Sequence, residues 1–254
     1  MERVESTPAV VSVDSAYRPY CRPVAVLMKG RQMDTQAMKE SGANAEQDGE
    51  GITVRVGSEQ SIRAFIGIRV PHAGHLMEAL LDDRELQNIP VRWSMAENLH
   101  ITLAFLGEVE SEALRHLWPE VCTVVKRMRS FPIGFTTPRL FPSLEHPRIV
   151  VLEVGDQRGQ LMGLRRALTQ MCQQTGIPVD ERSFRPHLSL GRIRPPLLRG
   201  QIATLALALQ RREWPIVEPF LMQYVSLFRS DLFPDGARYV ELGFAALAGQ
   251  ASRA

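Results

Sequence analysis

The sequence predicts an α+β fold built on antiparallel sheets. From Ile62 onward, strand-like and helix-like segments alternate irregularly, and several predicted strands follow one another directly. No run of βαβ units appears, which argues against a doubly wound parallel sheet. Neither of the common glycine-rich phosphate loops is present, so the residues give no support to ATP or NAD as a cofactor. The chain has 254 residues, enough for one large domain or two small ones.

Residues 1–61 carry no sustained period of 3.6 or 2 and are rich in Ser, Gly, Gln, Asp and Glu, most of all from Glu40 to Gly51. They read as a disordered or loosely ordered extension, with one short strand around Val24–Met28. Met28, Met33 and Met38 lie inside it, so an internal start is the alternative. Residues 62–246 form the folded domain, and 247–254 a short C-terminal tail.

Within the domain, Arg63–Val70 is a strand ended by Pro71. Gly74 to Leu86 reads as one amphipathic helix with Leu76, Ala79, Leu80 and Leu86 on its buried side. Leu99–Leu106 is a strand stopped by Gly107, and residues 111–128 a helix that Pro119 kinks or splits. Strands follow near Phe131–Phe135 and Arg148–Val154, then a helix from Gln160 to Thr175 ended by Gly176. His187–Arg194 is a strand and Leu198–Arg212 a helix. Leu221–Phe228 and Ala237–Phe244 are strands joined through a Pro-Asp-Gly turn.

Composition is that of an ordinary globular protein, with 44% hydrophobic and 23% charged residues. There is no apolar run long enough for a transmembrane helix. Pro23–Met28 is too short for a signal-peptide core. Cys21, Cys122 and Cys172 are odd in number and scattered, which points to a reducing cytoplasm, and without a CxxC pair they offer no cysteine–zinc site. The first 61 residues hold 7 basic and 9 acidic side chains, so the rest of the chain carries a net +4. Of the cations only Lys29, Lys39 and Lys126 are lysines. Codon bias accounts for most of this arginine excess; it permits nucleic-acid binding without arguing for it.

Two segments resemble each other: His100-Ile101-Thr102-Leu103 and His187-Leu188-Ser189-Leu190. Alternate side chains of a strand share a face. His100 and Thr102 therefore point one way, while Ile101, Leu103 and Phe105 point into a core. His187 and Ser189 repeat the arrangement over buried Leu188 and Leu190. Residues i and i+2 lie roughly 7 Å apart, so an imidazole and a hydroxyl can flank one small oxyanion. Two such strands side by side place two imidazoles and two hydroxyls around one phosphate. One copy of so short a pattern arises readily by chance and reads as a half-buried histidine. Two copies in a chain with only 6 histidines carry more weight.

The other histidines offer less. His72 and His75 share a spacing that suits a metal, but no third ligand is near and a solvated helix start explains them. His116 falls on a helix face and His146 in a loop; neither is assigned a role.

The twin motifs, in the contexts Asn98-Leu99-His100-Ile101-Thr102-Leu103-Ala104-Phe105-Leu106-Gly107 and Phe184-Arg185-Pro186-His187-Leu188-Ser189-Leu190-Gly191-Arg192, resemble those of the two-histidine phosphoesterases. Within that superfamily the pattern is most similar to the RNA 2′,3′-cyclic phosphodiesterases, formerly named 2′-5′ RNA ligases. Arg63-Ala64-Phe65-Ile66, Val91-Arg92-Trp93, Leu227-Phe228-Arg229-Ser230 and Gly236-Ala237-Arg238-Tyr239 add to the likeness, which spans about residues 63–245. Ser189 stands where threonine is usual in these proteins.

The resemblance implies a bilobal fold with a pseudo-twofold axis, two mainly antiparallel sheets lining a central cleft and helices outside. It also implies hydrolysis of RNA 2′,3′-cyclic phosphate ends to 2′-phosphomonoesters, with neither metal nor cofactor. His100 would be the proton donor to O3′ and His187 the acceptor from water; the motifs' near symmetry leaves that order open on sequence grounds. Thr102 and Ser189 would hold the non-bridging oxygens, and Arg192 the phosphate, although strict alternation puts Arg192 on the wrong face unless the strand twists or bends. Trp93 and Phe184 flank the motifs as base-stacking candidates, with core packing the default role. The expected partners are RNA or oligonucleotide ends with a 2′,3′-cyclic phosphate, met by a cytoplasmic monomer off the membrane. The competing readings are another 2′-linked substrate or reversible 2′-5′ ligation on the same fold, and a non-catalytic RNA-binding module. Such a module would not require two intact imidazoles and two hydroxyls.

Overall fold

The computed structural model describes residues 61–249, apart from 71–72, 157, 181–183, 195–196, 212 and 235. The expected strand around Val24–Met28 and the extension that holds it lie outside these residues, as does His72. In chain order the elements are β1 (Ser61–Arg69), α1 (Gly74–Asp82), α2 (Arg84–Gln87), β2 (Val91–Trp93), β3 (His100–Glu110), α3 (Ser111–Lys126), β4 (Phe131–Phe135) and β5 (Arg139–Phe141). Then come β6 (Ile149–Gly155), α4 (Gln160–Gln174), β7 (His187–Ile193), α5 (Arg199–Arg211), β8 (Phe220–Met222), β9 (Tyr224–Phe233) and β10 (Gly236–Ala246).

Every pairing between these strands is antiparallel. One lobe runs β10-β9-β1-β3 and the other β7-β6-β4-β8, with β2 added to β7 and β5 to β6. Where two sheets are expected, the strands form one ten-stranded sheet, because the lobes join where Ile101 of β3 pairs with Leu188 of β7; the motif strands are the innermost strand of each lobe. Helix α3 lies against α4, and both pack on β3, whose Ile101, Leu103, Ala104 and Leu106 are buried. The fold is α+β and antiparallel, as the sequence pattern predicts, and bilobal, as the resemblance implies.

Several elements differ from the sequence reading in instructive ways. The helix expected over 74–86 is two: Asp83, 5% exposed, ends α1 and accepts from the backbone N–H of Glu85 and Leu86 at 2.9 and 3.0 Å, capping α2. An aspartate so buried is worth more as a cap than as a mid-helix residue. Met77 rather than Ala79 lies on the buried stripe. Pro119 does not split α3, whose core face of Leu114, Leu117, Trp118, Val121 and Val125 holds it in place. Gly107 does not stop β3 but sits in it at φ +71°, a conformation glycine adopts freely. The short strands β5 and β8 carry too few residues to show a period. Leu247 and Ala248, placed in the tail by sequence, are tied to the body through the carbonyls of Gln223 and Met128, each at 2.8 Å.

Candidate active site

Both motif strands are bulged directly after the hydroxyl residue. Opposite β3, Ile66 pairs with Ala104 and Gly67 with Thr102, which leaves Leu103 extra. Opposite β7, Val150 pairs with Gly191 and Val151 with Ser189, which leaves Leu190 extra. A bulge shifts the alternation of every later side chain by one. Before it, His100 and Thr102 share one face over buried Ile101 and Leu103, and His187 and Ser189 share one over Leu188 and Leu190. After it, Phe105 and Arg192 return to that same face.

Two expectations change as a result. Phe105, expected in the core, lines the cleft, where the Arg63 guanidinium lies 4.7 Å over its ring. Arg192, expected on the opposite face, lines the cleft too. Its bulge depends on Gly191, because a Cβ there would meet Val91 Cγ1 at 2.8 Å and Trp93 Cε3 at 2.9 Å. Ser94 closes the distorted segment, donating from its N–H to the Leu190 carbonyl at 2.8 Å and from Oγ to the Ser189 carbonyl at 3.1 Å.

The Ile101–Leu188 pair sets the register at the floor of the cleft. Carried one residue further on each side, that antiparallel register would set His100 opposite Ser189 and Thr102 opposite His187. All four side chains line the one cleft.

Each imidazole is anchored the same way. His100 Nδ1 lies 2.7 Å from the carbonyl of Asn98, and His187 Nδ1 lies 2.7 Å from that of Arg185, two residues back in both cases. A carbonyl only accepts, so each Nδ1 carries its proton and donates, and Nε2 is left to exchange a proton with a ligand.

Their surroundings differ. His100 sits among Phe65 (ring centroids 4.6 Å apart), the edge-on Tyr239 (4.7 Å) and Phe228 (6.1 Å). Burial pushes its pKa down to about 4; the Asn98 carbonyl opposes the shift, while the charges of Arg69 and His187 add to it. His187 stacks on Phe141 at 5.2 Å and 19°.

Further residues, not singled out by their sequence pattern, complete the site. Asn98 donates from Nδ2 to the Ala237 carbonyl at 3.0 Å and accepts on Oδ1 from the Tyr239 N–H at 3.3 Å, tying the His100 strand to β10. Arg69, opposite His100 in the ladder, donates to Glu241 at 3.2 Å and to the Glu97 carbonyl at 3.0 Å. Their signal was position: Asn98 two residues before a motif histidine, Arg69 at the end of the strand that pairs with it.

The cleft has a volume of about 640 Å³. Arg63, Arg92, Arg192 and Arg238 line it and, among the described residues, no Asp or Glu does. Trp93 lines it as well, whereas Phe184 packs on the core beneath the Arg165 guanidinium. Among the described residues no three His, Cys, Asp or Glu side chains converge as a metal site. His75 meets Glu78 at 3.4 Å, His116 meets Glu112 at 3.2 Å, and His146 lies exposed in its loop.

The model of the 2′-5′ RNA ligase superfamily matches residues 88–227, a stretch that contains both motif strands. The chain belongs to that superfamily. Among curated relatives, a protein of Methanothermobacter thermautotrophicus named RNA 2′,3′-cyclic phosphodiesterase is 29% identical over 186 residues, 71% of this chain and 96% of its own length. One of Thermotoga maritima with the same name is 30% identical over 141 residues, 52% of this chain and 71% of its own. Two crystal structures share the fold. A Thermus thermophilus protein has a TM-score of 0.59 at 21% identity, covering 75% of this chain and 100% of its own. Escherichia coli LigT complexed with 3′-AMP has a TM-score of 0.56 at 23% identity, covering 74% and 98%.

Proposed function

We infer that the cleft is the active site of a metal-independent phosphodiesterase that opens RNA 2′,3′-cyclic phosphate ends to 2′-phosphomonoesters. One observation carries the reading: two imidazoles, each with Nδ1 tied to a backbone carbonyl, line one cleft together with the hydroxyls of Thr102 and Ser189. The names of the relatives support the same substrate class.

In this reaction His187 Nε2 takes a proton from water as the water oxygen bonds to phosphorus. The P–O3′ bond breaks, and His100 Nε2 hands its proton to O3′. Thr102 and Ser189 donate hydrogen bonds to the non-bridging oxygens as their charge grows. Arg192, further along β7, adds positive charge to the same cleft.

An imidazole with a pKa of about 4 is neutral at pH 7, so as the acid His100 would gain its proton together with the substrate's anion. A phosphodiester anion about 4 Å away supplies roughly 4 kcal/mol of attraction at an effective dielectric of 20, near three pKa units. That is enough to bring His100 back to neutrality's edge. The same low pKa favours a second order of events, in which neutral His100 is the base and His187 the acid.

Incubation of the full chain with a 2′,3′-cyclic-phosphate-ended oligonucleotide in EDTA tests the function. The expected product end is a 2′-phosphate, formed at the same rate with and without EDTA. A 3′-phosphate product, or a rate abolished by EDTA and restored by a divalent cation, overturns the reading.

A further inference from the structure

Arg92 of β2 and Arg192 of β7 pair directly across the ladder, and both line the cleft. Like charges set opposite each other on neighbouring strands repel and cost stability. Among the described residues no carboxylate forms an ion pair with Arg92, Arg192 or Arg63. Tyr239 lines the same cleft, and the charges of these three arginines hold back the rise that burial gives its hydroxyl pKa. Arg92 lies beside Gly236 at the start of β10, its Cζ 3.8 Å from the position a Cβ there would take. The cluster is therefore a concentrated positive field in a cleft that Tyr239 shares. A cyclic phosphate at the histidines brings a single negative charge and leaves most of that field unanswered.

We propose that Arg92, Arg192, Arg63 and Tyr239 form a second anion subsite, which takes the internucleotide phosphate on the 5′ side of the reacting ribose. The proposal deepens the phosphodiesterase reading and rests on it for the position of the first phosphate. Arg192 is three residues beyond Ser189, roughly 10 Å along the strand before the bulge shortens it. A ribose flanked by two phosphates spans that gap. Guanidinium forks suit phosphate oxygens, and each internucleotide phosphate neutralised releases counterions. The enzyme so built prefers an oligonucleotide end to a lone cyclic mononucleotide.

Calorimetric titration of the full chain in EDTA at low salt tests this with unreactive product analogues. Adenosine 2′,5′-bisphosphate is expected to bind at least tenfold tighter than adenosine 2′-phosphate. The dinucleotide ApA with a terminal 2′-phosphate should show a gain of the same sign. Arg92→Gln should erase most of that ratio, and Arg63→Gln should reduce it, in variants whose melting temperatures show them folded. Equal affinities in the native protein overturn the proposal, as does a gain that survives both substitutions or a failure of every nucleotide to bind. A gain with the 5′-phosphate that is absent with the dinucleotide overturns the internucleotide source. Cleavage of a cyclic-phosphate end by the same preparation reports separately on the histidines, so the subsite can fail while the catalytic reading stands.

Discussion

Ile101 of β3 pairs with Leu188 of β7, and both side chains are 0% exposed. This contact between the lobes lies beneath the residues on either side of it. His100 and Thr102 come from one lobe and His187 and Ser189 from the other, and all four line one cleft. Two imidazoles and two hydroxyls share that cleft because the lobes join at this pair.

The hydroxyls follow first from that arrangement. Thr102→Val and Ser189→Ala should each slow turnover of a cyclic-phosphate end by something on the order of 10² to 10³, the usual cost of a lost oxyanion donor. Steady-state kcat should carry the loss, with KM changed less. Unchanged rates in both variants would remove the hydroxyls from the mechanism.

Acid and base are separable by the leaving group. If His100 protonates O3′, a model phosphodiester with a nitrophenolate leaving group needs no such proton and should partly rescue His100→Ala. His187→Ala should gain nothing from that substrate, because water still lacks its base. Rescue of His187→Ala instead assigns the base to His100, the order that its low pKa favours.

The pKa of His100 also predicts a pH effect on stability. It falls from 6.5 in the unfolded chain to about 4 in the folded one, so the unfolded state binds the extra proton between those values. Stability is then fully present above pH 6.5 and is lost as the pH falls toward 4, by about 3 kcal/mol from this group. His100→Phe should flatten that part of the acid limb in urea unfolding at pH 7, 5.5 and 4. An acid limb identical to that of the native protein would contradict the burial of a neutral imidazole.

The bulge at Leu190 makes a structural prediction. Gly191→Ala forces a Cβ to within 3 Å of Val91 and Trp93, and overpacking of this kind costs about 1 to 3 kcal/mol. Urea unfolding measures the loss directly. A stability equal to that of the native protein would show that β2 is free to move away from β7.

Period-2 alternation was enough to place His100, Thr102, His187 and Ser189 on one face, because each motif is local. It failed three residues past each hydroxyl, at Phe105 and Arg192. The bulges that turn these residues arise from pairing with β1 and β6, more than 30 residues away in sequence. Arg92 and Tyr239 were invisible as cleft residues for the same reason: β2 reaches the cleft by pairing with distant β7, and the β9–β10 hairpin by pairing of β9 with distant β1. Asp83 was legible in principle, since an aspartate inside an amphipathic stretch is a capping signal. The resemblance supplied the bilobal topology; no period in the chain encodes which strands will meet.

The most direct test of the account compares His100→Ala, His187→Ala and the double variant on one cyclic-phosphate RNA end, under single-turnover conditions. Two imidazoles acting as one acid–base unit predict that each single variant loses on the order of 10³ or more in rate, and that the double variant is little worse than either. A single variant with near-native turnover, or a double variant whose loss is the product of the two, would contradict it.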